Sequence, residues 1–552
     1  MNNARRGWFA ILWLVASWLG SSVAAHGQVS FVTPAPPSVT PELPGVLERG
    51  QKLETQRRWG EALTLYEEAL RNHPHQAALE QRFSTARAHY DLARRYSDNS
   101  FRQSLGTMAL QDALDLYSEV LLKIQSHYVS APDWNYLLDH GTANLEVAMD
   151  DPSFAEQNLA GQSAARIDRF HRTLRMRMQS RPAAEVNSRH TVRQAVADIA
   201  ALARAELGIR EVATVMEYVC GATNSLDSYS TFLTAGQLGE VYSQIEGNFV
   251  GLGVELKASE GSLLIVKVIT GSPAERSSIL AGDRIVAVEG RTTDELSTDQ
   301  AANMLQGKEG TTVRVTAVTP GQAPRNLLVR REQVEVPSID DARILDRGYG
   351  IAYAKLTCFQ KTTSRDLDAA LWRLHREGMK SLILDLRGNP GGLLTTSVEV
   401  VDKFVSRGVI VSTKGRSPQE DFVYSAHEPG TWHVPLVVLI DGESASASEI
   451  FAGAIRDHRR GTIVGTRSYG KGSVQGIFPL NTAGSGLRLT TAKFYSPNGQ
   501  PYSLVGVQPD VLVQQAARPI DGENEGAANL ATNGDPALDA ATEAAKRQIA
   551  RR

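Results

Sequence analysis

The chain has 552 residues, 58 Lys+Arg against 61 Asp+Glu, and two cysteines. That length allows roughly three or four domains, each with its own core. A net charge of −3 gives no electrostatic case for nucleic acid, and Cys220 and Cys358, far apart in sequence, build neither a disulfide framework nor a metal site.

Residues 1–25 have a basic start (Arg5, Arg6), an apolar stretch from Trp8 to Leu19 and a Val23-Ala24-Ala25 ending. They read as a secretory signal peptide, which implies an exported, periplasmic or cell-envelope protein. The other reading is an uncleaved anchor, since the uncharged run Gly7 to Ala25 approaches the length of a short membrane span. Residues 26–45 form a proline-rich linker. From 46 to 150 the pattern is helical, and Gly50, Leu53, Ala62, Tyr66, Ala69 and Pro74 resemble one tetratricopeptide repeat, with a degenerate second unit around Ala113–Tyr117. Such a region is either a surface for a protein partner or a helical cap on the rest of the chain. Residues 151–244 continue helical, with a stretch from Val192 to Thr223, and end in LDSYSTFLT (Leu226–Thr234).

Residues 245–332 resemble a PDZ domain, through GNFVGLGVEL (Gly247–Leu256), the strand LLIVKVI, SPAERSSILAGDRIVAVEG (Ser272–Gly290), a helical Asp299–Leu305 and TTVRVTAVT. The resemblance implies that the loop around Phe249, Gly251, Leu252 and Gly253 offers backbone amides to a peptide's terminal carboxylate, and that the following strand accepts the peptide along its edge. An ordinary tight turn at GLG is the alternative. Ser277-Ser278 replaces the usual Ala-Gly, a change that bears on helix packing more than on the loop.

From 333 to 514 strands and helices alternate. Tyr349–Leu356 is strand-like, Asp366–Glu377 helical, and the apolar strand of LILDLRGNPGGLL ends in the glycine-rich Arg387–Gly392. A second apolar strand, Val434–Ile440, leads through the small residues Asp441–Ser448 into a helix over Glu449–Ile455. Ser446 therefore falls at a strand-to-helix turn, where first-turn amides lack partners and the dipole favours negative charge, and Ala447 can offer one amide to an oxyanion. After a strand at Gly461–Thr466, Ser468-Tyr469-Gly470-Lys471-Gly472 presents a lysine between glycines, and Ser473–Pro479 is strand-like, so Lys471 and Gln475 share a face if the strand starts early enough. A serine nucleophile with a neutral lysine as its base is one reading. In the other, Ser446-Ala-Ser-Glu449 is a capping box and the lysine a solvated turn residue.

SASASEIFAG, GTRSYGKGSVQ, LRLTTAKFYSPNGQPY and GVQPD, in this order and at these distances, resemble the catalytic motifs of the carboxyl-terminal processing (tail-specific) proteases. The resemblance implies a multidomain protein: an all-α tetratricopeptide-like region, a β-rich PDZ domain and an α/β serine protease core of the ClpP/crotonase-like type. It assigns Ser446 as nucleophile, Lys471 as base, Gln475 as the residue orienting the lysine, and Gly391 or Gly392 as the oxyanion partner of Ala447. It implies no cofactor or metal, and protein or peptide substrates with free C-termini. Leu226–Thr234 resembles the segment that precedes the PDZ domain in that family. A histidine-based triad through Asp457-His458, His427 or His433 is disfavoured because the motif supplies a lysine. The reading from another class is a non-catalytic scaffold that binds peptide tails. Residues 515–552 form a polar linker and a terminal helix, Pro536–Ala550.

Overall fold

In the computed structural model, residues 43–73, 75–259, 262–293, 304–513 and 534–551 are described. The leader, most of the proline-rich linker, Pro74, residues 299–303 and the 514–533 linker lie outside the described residues. There are two compact units. One contains Met1–Gly239, Ile339–Phe359 and Leu367–Arg552; the other contains Glu240–Ser338 and Gln360–Asp366.

The first unit is built on a six-stranded sheet in the order Ile339–Asp346, Ile351–Leu356, Ser381–Asp385, Leu436–Ile440, Thr462–Gly465, Val511–Leu512. The first pair is antiparallel and the rest are parallel. Every residue of Ser381–Asp385 and of Leu436–Ile440 is buried, as expected of parallel strands covered on both faces. Alternation sends Leu382, Leu384, Leu436, Val438 and Ile440 into one core with Leu371, Val400, Phe451 and Ile455 of three helices. It sends Ile383, Val437, Leu439 and Val464 to the opposite face, where the helix Pro536–Ala550 lies. That helix approaches through Ala537, Ala541 and Ala545, whose four-residue spacing puts small side chains on one stripe. Arg387, just past the strand Ser381–Asp385, bonds Asp385 at 2.6 Å and Asp535, the N-cap of this helix, at 2.8 Å.

A second sheet is antiparallel: Thr231–Leu233 and Gly408–Gly415 pair with Gly486–Tyr495, which also pairs with Ser473–Pro479, while Phe422–Ala426 pairs with Gly408–Gly415. The segment expected only to lead toward the PDZ domain thus gives a strand to the sheet that carries Gln475. The N-terminal half is helical, and its large core takes in Leu480, Leu487 and Leu489 of that sheet, so these helices and the sheet share one apolar interior. Ala113–Tyr117 belongs to this core, whereas Val46, Ala62, Tyr66 and Ala69 form a smaller one.

In the second unit, Val254–Ser259, Ser262–Val268, Arg284–Val288, Thr312–Val318 and Arg325–Arg330 form a sheet in that order, and Arg291–Thr292 adds to Arg284–Val288. The expected GNFVGLG loop is corrected here. Phe249 and Gly251 lie in a strand, Asn248–Gly251, because that stretch pairs with Glu332–Glu335, and only Leu252–Gly253 forms the turn into the next strand. The Leu252 and Gly253 carbonyls accept from Ala274 and Ile269 N–H at 2.9 Å. Gly253 has φ 82°, and a Cβ there would meet Ser272 Cβ at 2.2 Å.

The helices Leu43–Thr55 and Trp59–Asn72 touch at Gly50, where a Cβ would lie 2.1–2.3 Å from atoms of Tyr66, whereas Gly45 in the same helix has nothing within 4 Å. Gly50→Ala is therefore expected to destabilise this pair by about 1–3 kcal/mol through overpacking, and Gly45→Ala to stabilise it by about 0.5–1 kcal/mol through helix propensity. Calorimetry of the two variants should move the transition containing these helices in opposite directions; shifts of the same sign would contradict the packing.

Candidate active site

The neighbouring parallel strands Ser381–Asp385 and Leu436–Ile440 each end in a loop that carries functional groups, at the carboxyl edge where open α/β sheets place their sites. The loops are knitted together. Asp441 accepts from Gly388 N–H at 3.1 Å, Ser444 Oγ donates to the Leu386 carbonyl at 2.8 Å, and Ser448 Oγ and Ala445 N–H donate to the Asn389 carbonyl at 2.9 and 3.1 Å.

Ser446 precedes the helix Ala447–Asp457 with φ 54° and ψ −109°. A β-carbon at positive φ costs on the order of 1–3 kcal/mol and persists only where its surroundings impose it. The fixing contact is the buried Glu449 carboxylate: Oε2 accepts from Ser446 N–H and from Lys471 N–H, both at 2.8 Å. Its other oxygen accepts from Gly470 N–H at 2.7 Å and Ser468 Oγ at 2.6 Å. The capping box expected at Ser446 and Glu449 is present, and Glu449 also reaches a second turn, which a helix cap alone does not need. Burial pushes its pKa up to about 7, and the bonds from Ser468, Gly470, Ser446 and Lys471 keep it from rising further.

Lys471 is 5 % exposed and Ser446 6 %. Burial, reinforced by the Arg488 guanidinium, holds the Lys471 amine well below the ordinary lysine range, against the opposing pull of Asp227, Glu449 and Glu67. Burial also brings Arg488 itself down to about 10, with Arg87 and Arg94 acting in the same direction. The Lys471 Nζ lies 4.1 Å from the centre of the Tyr229 ring. Gln475 does not hold it in this state. The strand begins at Ser473 and has an irregular register between Val474 and Gln475, so Lys471 precedes it and the expected shared face is lost. The Gln475 amide nitrogen donates to Ser473 Oγ at 2.9 Å and Thr490 Oγ1 at 3.4 Å, and Oε1 is buried without a hydrogen-bond partner. An unsatisfied buried acceptor costs about 1–3 kcal/mol.

Of the two glycines, Gly391 lies beside Ala447. A Cβ on Gly391 would lie 2.9 Å from Ala447 N and 3.0 Å from Ser446 Cβ. The Gly391 N–H donates to Asn389 Oδ1 at 2.9 Å, and the Gly391 carbonyl accepts from Phe359 N–H at 2.9 Å. Gly392 runs beside Phe359, where a Cβ would meet the Phe359 carbonyl oxygen at 2.2 Å. Two of the histidines weighed above are engaged elsewhere: His458 Nε2 lies 2.7 Å from the Val409 carbonyl oxygen beyond the far end of the helix, and His427 pairs with Asp402 at 3.1 Å. Among the described residues no group of three or more His, Cys, Asp or Glu is placed to hold a metal, and no helix is long and apolar enough to cross a membrane.

Sequence reasoning missed Tyr229, Arg488 and Glu67. Tyr229 had one signal, the LDSYSTFLT motif, but nothing local says that its ring meets a lysine more than two hundred positions later. Glu67, on the helix Trp59–Asn72, accepts from the Tyr469 hydroxyl and has no sequence signature at all.

Residues 350–513 match Peptidase family S41 and residues 264–319 match the PDZ domain family. The carboxy-terminal-processing protease of Bartonella bacilliformis is 37% identical over 301 residues, 53% of this chain and 68% of that protein. The carboxyl-terminal-processing protease of Synechocystis is 31% identical over 323 residues, 56% of this chain and 74% of that protein. Among solved structures, a photosystem II D1 C-terminal processing protease is similar at 25% identity, with 74% of this chain and 95% of that one covered and a TM-score of 0.40. With two relatives matched over more than two thirds of their length, this chain belongs to the carboxy-terminal-processing proteases of peptidase family S41 and is a serine peptidase.

Proposed function

We propose that the peptidase works through a Ser446/Lys471 dyad. The observation that carries this is the shared carboxylate oxygen. Two backbone nitrogens 2.8 Å from Glu449 Oε2 tie the turn of the strained serine to the turn of the buried lysine. An amine whose pKa burial holds well below the ordinary lysine range is a more competent base than a solvated lysine.

In the proposed cycle the Lys471 amine takes the proton from Ser446 Oγ as the oxygen bonds to the peptide carbonyl carbon. The tetrahedral oxyanion is stabilised by the Ala447 N–H and a glycine N–H; because Gly391 donates to Asn389, Gly392 is the better donor. The protonated lysine returns its proton to the departing amine as the C–N bond breaks, leaving an acyl-enzyme. Water, deprotonated by the same lysine, then releases the acid and regenerates the serine. In the PDZ unit, Val254–Ser259 pairs among the described residues on one edge only, with Ser262–Val268, which supports capture of a substrate's C-terminal tail as an added strand. The leader composition supports export as the setting. The packing of Leu43–Thr55 on Trp59–Asn72 at Gly50 and Tyr66 supports a tetratricopeptide-like reading of residues 46–150.

Digestion of an unstructured protein should show loss of all turnover in Ser446→Ala and a loss of about 10²–10⁴-fold in Lys471→Ala. Melting should change by no more than about 1 kcal/mol for the serine variant, the size of a lost helix cap. Activity that fell only in step with stability would leave Ser446 a cap, and absence of cleavage by the parent chain with tail binding intact would favour the scaffold.

The acid limb of kcat should follow deprotonation of Lys471, rising with pH through the lowered pKa. Stability carries the same signature. Between that pKa and the ordinary 10.5 the unfolded chain binds more protons, so the lysine's contribution grows with pH. Glu449 acts in the opposite sense: from 4.5 to about 7 the folded chain binds more protons, and its contribution falls as pH rises. Denaturant titrations of Lys471→Met and Glu449→Gln should remove the rising and the falling slope respectively; slopes unchanged from the parent would contradict both assignments.

Fluorescence anisotropy with the Ser446→Ala chain should show that peptides ending in a free carboxylate bind at least about tenfold more tightly than their C-terminal amides, since a hydrogen-bonded charge is worth about 1.5–3 kcal/mol. Equal affinity would remove the carboxylate from PDZ recognition.

A further inference from the structure

The catalytic-lysine turn is held from outside the protease motifs. The helix Trp59–Asn72 supplies Glu67, which accepts from the Tyr469 hydroxyl, and Arg71, whose guanidinium lies 4.4 Å over the Tyr469 ring. Tyr469 neighbours Tyr229, the residue whose ring faces the Lys471 amine at 4.1 Å. The helix Ala77–Ser97 holds the Tyr229 segment: Arg87 donates to the Asp227 and Ser230 carbonyls at 2.5 and 2.8 Å. From the sheet side, Arg488 donates to the Tyr229 carbonyl at 2.9 Å. Meanwhile Gln475 Oε1, buried close by in sequence and chemistry, has nothing to accept from.

We propose that Tyr229 is a positioning residue that parks the Lys471 amine away from Ser446, and that the N-terminal helices, through Glu67 and Arg87, set how firmly it is parked. The inference rests on Lys471 being the base. In the parked state the ring face favours the ammonium form; in the productive state the amine leaves the ring and donates to the open Gln475 acceptor while facing Ser446. An equilibrium between two such positions is shifted by whatever binds one of them better. The region that sequence suggested as a partner surface or a cap thereby becomes part of the catalytic machinery's control. The charged and titratable groups facing the amine are Arg488 and Asp227 beside the Tyr229 segment, Glu449 on the nucleophile helix, Glu67 from the N-terminal helices and Tyr229 itself, with Tyr469 behind it.

The test is the pH profile of kcat, measured on the full chain. Tyr229→Leu removes the ring face, Tyr229→Phe keeps the face and removes the hydroxyl, and Glu67→Gln removes a negative charge that favours the ammonium form. Tyr229→Leu and Glu67→Gln should move the acid limb to lower pH, raising kcat about threefold to tenfold on that limb, with KM unchanged and Tyr229→Phe close to the parent. Glu67→Gln, a change on a half-buried helix position, keeps the test open if Tyr229→Leu fails to fold. Acid limbs that coincide for all three variants, or losses of kcat that simply track melting temperature, would overturn the parking role while leaving the dyad intact. Full activity in Lys471→Ala would overturn the dyad and this inference together.

Discussion

A single buried carboxylate fixes the geometry on which the rest of this protease depends. Glu449 lies in the first turn of the helix after Ser446 and collects four donors, two from the lysine turn's backbone, one from Ser446 and one from the Ser468 hydroxyl. Three of these are backbone N–H groups, which would otherwise be left unsatisfied in the interior at the cost of their lost hydration. The arrangement makes Ser446's left-handed backbone and the Gly470–Lys471 turn mutually dependent: neither can relax without stranding the other's amide. Burial pushes the Glu449 carboxyl up to about 7 and holds the Lys471 amine well below the ordinary lysine range.

The scaffold around that carboxylate is rigid where the chemistry needs it. Strands buried on both faces deliver the Arg387–Gly392 and Asp441–Ser446 loops to one edge, and the hydroxyls of Ser444 and Ser448 lock the loops to each other through main-chain carbonyls. Ser397 Oγ donates to the Ala447 carbonyl at 2.7 Å, which fixes the peptide that follows Ala447. The serines of the SASAS run thus divide their work: 444 and 448 are structural, and 446 is left at the strained position between them.

What was legible in the sequence follows the range of the interactions involved. The strand Leu436–Ile440, the turn at Ser446, the strand Ser473–Pro479 and the helix Pro536–Ala550 were read within a residue or two, since apolar runs, small-residue turns and helical periodicity are local properties. Phe249 was misplaced because its strand exists only through pairing with Glu332–Glu335, more than eighty residues away. The Gln475 side chain was assigned to the lysine, but a bulge in its strand and the hydroxyls of Ser473 and Thr490 draw its amide elsewhere. Tyr229, Arg488 and Glu67 converge on Lys471 from three distant stretches, and no pattern within any one of them encodes that convergence. The resemblance to a family suggested roles for Ser446 and Lys471; its motifs contain Tyr229 and Arg488 without pointing to either, and Glu67 lies outside those motifs altogether.

The alanine stripe of Pro536–Ala550 gives the fold a detachable roof. Because Ala537, Ala541 and Ala545 contribute little side-chain bulk, the helix is held mainly by the branched residues of the sheet beneath it and by the Arg387 fork on Asp535. Were it lifted, Ile383, Val437, Leu439 and Val464 would form a flat, solvent-facing apolar strip, and the guanidinium that clasps the start of the glycine loop would lose half its anchors. The cover of this face of the sheet and the hold of Arg387 at the start of the glycine loop are in this way tied to the seating of one small-residue helix.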